Sequence, residues 1–171
     1  MILVRHAQSE WNLHYGRTRV DPGIPDAPLT PDGEAQARGL VPQLAGRGVA
    51  RLLASPYRRT LQTATIIAGE LTLPIRVETL VRERAVFSCD VGTPRTELER
   101  LWPDLDLAHL DERWWGELEE SEASLLERCR AFRADTDPLP DRDRVAVITH
   151  YGFILGITGL AVPNAAIVPL P

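Results

Sequence analysis

The chain has only two cysteines among 171 residues, and it has no surplus of positive charge. Cys89 and Cys129 form neither a metal-type spacing nor a disulfide framework. A reduced, cytoplasmic setting is therefore the expectation. Nineteen Lys and Arg stand against 24 Asp and Glu, a net charge of −5. That speaks against general nucleic-acid binding, which needs a basic face. No apolar run approaches the ~20 residues that span a bilayer, so no membrane partner is expected. Met1 leads straight into an apolar run without a basic leader, which is not the pattern of a signal peptide. HExxH, paired Cys motifs, an Asp-rich triad and the Walker P-loop are all missing, so neither a resident metal nor another cofactor is implied. No repeat or low-complexity segment interrupts the chain. Its length fits one domain over residues 1–171, large enough to bury a core without staples.

What is present is concentrated at a few strand ends. Ile2-Leu3-Val4 reads as a buried strand and stops at Arg5-His6 with no turn residue between. Arg5 cannot lose its proton, so it marks a place where an anion is welcome. His6 can serve as nucleophile, base or ligand, or the two can be a surface pair where a strand ends. The same grammar recurs twice. Leu52-Leu53-Ala54 runs into Ser55-Pro56-Tyr57-Arg58-Arg59, and Val145 to Thr149 runs into His150-Tyr151-Gly152. Ligands of open parallel sheets bind at the carboxyl ends of strands, so three strands are expected to deliver His6, Arg59 and His150 to one crevice.

At these residues the sequence resembles the histidine phosphatase superfamily, also called the phosphoglycerate mutase-like family. Its opening motif, Arg-His-Gly-x-(Ser/Thr)-x-x-Asn, is matched by Arg5-His6-Ala7-Gln8-Ser9-Glu10-Trp11-Asn12. Its second, Ser-Pro-x-x-Arg-Ala-x-Gln-Thr-Ala, is matched by Ser55 to Ala64, with the motif arginine on Arg59 and not Arg58. Further matches are Pro28-Leu29-Thr30, Gly33, Gln36-Ala37, Arg82-Glu83 and His150-x-Gly152. Ala7 replaces the usual glycine, Thr60 the usual alanine, and Tyr151 stands where glycine is common.

Around these motifs the pattern predicts a short helical turn from Trp11 to Tyr15 and a loop from Gly16 to Pro28. It predicts helices from Thr30-Pro31 to Ala45, from Arg58 to Leu71, from Thr93-Pro94 to Leu101 or Trp102, from Ser121 onward, and from Phe153 to Leu160. Strands are expected at Arg51–Ala54, Leu73–Val77 and Val145–Thr149, with an edge strand at Ala166–Leu170. Four strand–helix alternations give a three-layer α/β/α sandwich with a mostly parallel central sheet. Trp114 and Trp115 are core residues or an aromatic wall over the substrate. Cys129 shares a helical face with Leu125 and Phe132 and reads as a small buried apolar residue.

Phosphoryl transfer asks a protein for positioning and for stabilisation of charge on three equatorial oxygens. Arg5 and Arg59 offer planar forks, His150 adds a cationic donor if protonated, and Asn12 and Ser9 add neutral ones. The resemblance implies a phosphohistidine on His6, with Glu83 giving a proton to the leaving oxygen and taking one from water. It also places the Gly16–Pro28 segment at the phosphate pocket, with Arg17 in the pocket and Arg19 solvated. His14 and His109 match nothing. Three functions follow for a small phosphorylated substrate: a metal-independent phosphomonoester hydrolase, a cofactor-dependent phosphoglycerate mutase, or a binding module without turnover. Mutases of the family usually carry extra segments between the acid and the second histidine, so this compact chain favours hydrolysis. The oligomeric state is not legible.

Overall fold

A computed structural model describes all 171 residues, Met1–Pro171. In chain order the elements are β1 (Ile2–Arg5), α1 (Glu10–Thr18), α2 (Pro31–Ala45), β2 (Arg51–Ala54), α3 (Arg58–Leu71), β3 (Ile75–Val77), α4 (Arg95–Leu101), α5 (Glu122–Thr136), β4 (Val145–Thr149), α6 (Tyr151–Thr158) and β5 (Ile167–Pro169). The five strands form one sheet in the order β3-β2-β4-β1-β5. All neighbours run parallel except β5, which pairs antiparallel with β1.

Strand alternation divides the core in two. Val4, Leu52, Ala54, Ala146 and Ile148 face α2 and α3 on one side. Leu3, Leu53, Val145 and Val147 face α5 and α6 on the other. Both faces are covered, which is why the strands read as unbroken apolar runs. The expected three layers are therefore present. No helix is long and apolar enough to cross a membrane.

The sheet order places the site. β4 lies between β1 and β2, with Arg5 opposite Thr149 and Ala54 opposite Ile148. The three strands end level, so His6, Ser55 and His150 emerge side by side. α2 then closes on the chain just past His6. Thr30 caps it by accepting from Gly33 N, and Pro31 takes the first turn. A Cβ on Gly33 would stand 2.0 Å from Gln8 O, so only glycine lets that helix start against the Gln8 backbone.

Some boundaries differ from the sequence pattern. α1 is a full helix instead of a turn, because Ser9 and Asn12 form a reciprocal capping box and Gly16 is tolerated inside it. It ends at Arg19, which is left-handed at φ 58°. α6 begins at Tyr151, two residues early, since His150 is still extended and serves as its cap position. Trp114 is core: its indole donates to Thr93 O at 2.8 Å, and its ring meets Tyr57 edge-on at 4.7 Å. Cys129 is buried among apolar neighbours, as its helical face implied.

Candidate active site

His6 leaves β1 with its ring almost wholly enclosed, 3% exposed. Its Nδ1 lies 2.7 Å from Ala7 O. A carbonyl can only accept, so Nδ1 carries the proton and Nε2 keeps its lone pair. Nε2 has no protein partner and is not sealed from the cavity. Burial, then Arg59, then Arg5 push the imidazole pKa well below its ordinary value, so the ring is neutral at pH 7.

His150 stands behind it, with ring centroids 5.2 Å apart at 61°. It is wholly buried and does not form part of the cavity wall. Its Nε2 is hydrogen-bonded to Ser55 Oγ at 2.8 Å, and its Nδ1 has no partner. Burial and Arg59 lower its pKa well below the ordinary value too. The condition set for a cationic donor here, a protonated ring, is therefore not met with the pocket residues alone around it.

The two arginines are held differently. Arg5 donates from Nη1 to Val162 O at 2.7 Å, and the Tyr151 ring covers its guanidinium at 5.1 Å. Arg59 enters from the first turn of α3 and is 2% exposed. It donates to Cys89 O at 2.8 Å and to Asp90 Oδ1 at 3.1 Å, over the Tyr57 ring at 4.3 Å. Asp26 lies 3.9 Å away. Burial opposes its charge, but Cys89, Asp90 and Asp26 outweigh that and raise its pKa. Arg58, its neighbour, is half-buried and absent from the cavity wall. Burial pushes the Cys89 thiol up, so Cys89 is no nucleophile.

Glu83 follows a short 3₁₀ turn, Thr79–Val81. Its Oε1 accepts from Gly152 N at 2.8 Å and Arg84 N at 2.9 Å, leaving Oε2 free. The residue keeps an edge on the cavity while its carboxyl is enclosed. Burial, reinforced by Asp90 and opposed by Arg59, raises its pKa to about 7. Gly152 makes this approach possible, since a Cβ there would sit 2.4 Å from Oε1. Arg128 of α5 ties the acid's backbone down. It donates to Leu80 O at 2.7 Å and Arg82 O at 3.0 Å, and pairs with Glu120 at 2.7 Å.

Asn12 Oδ1 accepts from Ser9 N, Ser9 Oγ and Asn164 Nδ2 at 3.0–3.1 Å. Its amide NH₂ is what remains for the cavity. Ser9 lines the cavity, but its hydroxyl is engaged in capping α1 and in orienting Asn12. Arg17 is a correction. The longer α1 carries it exposed and off the cavity wall; Arg19 is exposed, as expected, and also lines the cavity. His14 is exposed, and His109 bonds Val77 O at 3.0 Å. Arg5, His6, Asn12, Arg59 and Glu83 meet in one cavity of about 860 Å³.

The model of the histidine phosphatase superfamily (branch 1) matches residues 1–166. The chain belongs to that superfamily. This histidine phosphatase relative is 33% identical over 165 residues to a probable phosphoglycerate mutase GpmB from Enterobacter, covering 90% of this chain and 70% of that one. It is 30% identical to the protein of the same name from Yersinia enterocolitica, over 91% and 71% of the two chains. Among solved structures it superposes on a mycobacterial glucosyl-3-phosphoglycerate phosphatase with TM-score 0.66 at 22% identity, covering 98% and 87%. A phosphoserine phosphatase of Entamoeba histolytica gives 0.63 at 21%, covering 97% and 87%. At such identities the likeness establishes the fold.

Four residues of this site carried no signal in the sequence. Asp26, Asp90 and Arg128 sit in irregular or amphipathic stretches as ordinary charges. Asn164, which also holds His6 O at 3.0 Å, precedes an edge strand. Ser55, the partner of His150, does stand inside a motif.

Proposed function

We propose that the protein is a phosphomonoester hydrolase working through a phosphohistidine on His6, with residues 1–171 as one catalytic domain. The observation that carries this is the open, unprotonated Nε2 of a neutral imidazole in a cavity lined also by two permanent cations, Arg5 and Arg59. Arg5, Arg59 and the Asn12 amide hold the phosphoryl oxygens. Nε2 attacks phosphorus, the ester P–O bond breaks, and the departing alkoxide takes the proton of Glu83. The Glu83 carboxylate then takes a proton from water, the resulting hydroxide attacks phosphorus, and the P–N bond breaks. A carboxyl with a pKa of about 7 suits both halves of that cycle. The guanidiniums supply the charge that a metal ion would supply in other phosphatases, so no step calls for one. Burial first and the charge of Arg59 second keep His150 neutral, and a phosphate dianion in the cavity opposes the second of these.

Phosphoglycerate mutase is the second reading, favoured by the names of the relatives in Enterobacter and Yersinia. It shares the first half-reaction. Two measurements separate the cases. An acid-labile phosphoenzyme should be trapped from a phosphomonoester and be absent in His6→Ala; a wild type that hydrolyses nothing on a broad panel leaves a binding module. Rapid isomerisation of 3-phosphoglycerate with 2,3-bisphosphoglycerate, at little net phosphate release, replaces hydrolase with mutase.

A further inference from the structure

We infer that the esters this site favours are those of bulky, uncharged, apolar alcohols, aryl or alicyclic, and not of small phosphorylated acids; this rests on the hydrolase reading above. Beside its polar groups, the cavity is lined by a different material. One wall is aromatic. Trp11 and Tyr15 stack at 4.5 Å and 12°, and Phe87 closes on them at 4.9 and 5.3 Å. Trp11 is locked by its indole bond to Asp21 Oδ1 at 2.9 Å. Another wall is aliphatic, from Leu125 and Leu126 of α5 and Leu155 of α6.

The rim continues the pattern. Val86, Tyr151 and Leu155 are 45%, 38% and 39% exposed, and all three line this cavity. The chain has seven large apolar side chains this exposed, and three of them line this one cavity. Such a collar favours whatever removes it from water. Tyr151 belongs to it through its ring, whose other task is to cover Arg5. The volume, about 860 Å³, lies in the range of cavities that enclose a ligand of some tens of atoms.

The charges beyond the floor do not suit an acid. They are Arg19, Arg84 and Glu122. Arg84 donates from Nε to Glu120 O at 2.9 Å. Arg19 lies on the exposed end of α1, 5.9 Å from the Tyr15 ring centre. Glu122 is exposed and negative. Arg19 and Glu122 are solvated and of opposite sign, so they discriminate weakly, and half-buried Arg84 is not enclosed as Arg59 is.

The test compares 2-(1-naphthyl)ethyl phosphate with ethyl phosphate. Both release a primary alkoxide, so bond reactivity is nearly shared and the apolar mass is the variable. The expected kcat/KM ratio is on the order of 30 or more in favour of the naphthyl ester, with 3-phosphoglycerate and phosphoserine at or below ethyl phosphate. A ratio near one, or either phosphorylated acid outrunning the naphthyl ester, overturns the inference. The double variant Val86→Ser, Leu155→Ser changes only exposed positions and should lower the ratio about tenfold; an unmoved ratio also overturns it. Calorimetric binding of the two matching phosphonates reads recognition without turnover. Discrimination between phosphonates with no ester cleaved removes the hydrolase reading alone; equal phosphonate affinities remove the apolar specificity alone.

Discussion

The two ends of the cavity are built on opposite principles. At the floor, polar atoms are held by neighbours drawn from distant parts of the chain: Asn12 by Asn164, Arg59 by Asp90 and Cys89, Glu83 by Gly152. At the mouth, apolar rings and methyl groups meet water and bond to nothing in particular. The difference teaches where precision is required. A charge that must lie beside phosphorus needs fixed partners, because an ångström of error there costs about a hundredfold in rate. A wall that shelters an apolar group needs only area.

The most damaging change to the floor is His6→Ala, which should lower kcat by about 10⁴-fold or more and abolish the trapped phosphoenzyme. A variant that keeps substantial activity would mean that another group attacks. Glu83→Gln comes next, with an expected loss of about 10²–10⁴-fold. In the wild type, kcat/KM should fall above about pH 7, as the proton donor is lost. Stability gives an independent reading of the same carboxyl. Its folded pKa is about 7 against an ordinary 4.5, so between those values the native state binds more protons than the unfolded state. Its contribution is present in full below about pH 4.5 and is lost as pH rises through about 7. Denaturation midpoints of Glu83→Gln should lack that slope.

Gly152→Ala is a subtler break. The new Cβ would stand 2.4 Å from Glu83 Oε1 while Arg128 holds the acid's backbone, so the carboxyl has to shift. A loss of about 10²-fold in kcat is expected, with phosphonate binding little changed. The smallest effect belongs to Arg17→Ala. This exposed residue lies off the cavity, and stability should stay within about 0.5 kcal/mol. A clear rise in KM would return Arg17 to the phosphate site.

How far the sequence could be read follows the same division. Arg51–Ala54, Arg58–Leu71 and Val145–Thr149 match the expected strand, helix and strand to the residue. Apolar runs and periodicity are local signals, and strand ends then bring His6, Arg59 and His150 together by topology alone. Glu83 was found through its motif, and the enclosure that lifts its pKa needed the folded chain. Asp26, Asp90, Asn164 and Arg128 reach site residues 31 to 158 positions away, as in Arg59 with Asp90 or His6 with Asn164. No window along the sequence contains both partners of such a pair. Arg17 was misplaced for a local reason: the capping box of α1 carries the helix past the expected loop start.

β1 is bordered by β4 and β5, both made more than 140 positions later in the chain. A ribosome adds roughly 5–20 residues each second, so the strand leading into His6 emerges long before either flank exists. It must wait unpaired, an apolar segment without a seat, while β2 and β3 are already made. Nascent chains arrested before residue 145 should therefore leave this N-terminal stretch open to protease, and the machinery of the enzyme should come together only as translation closes.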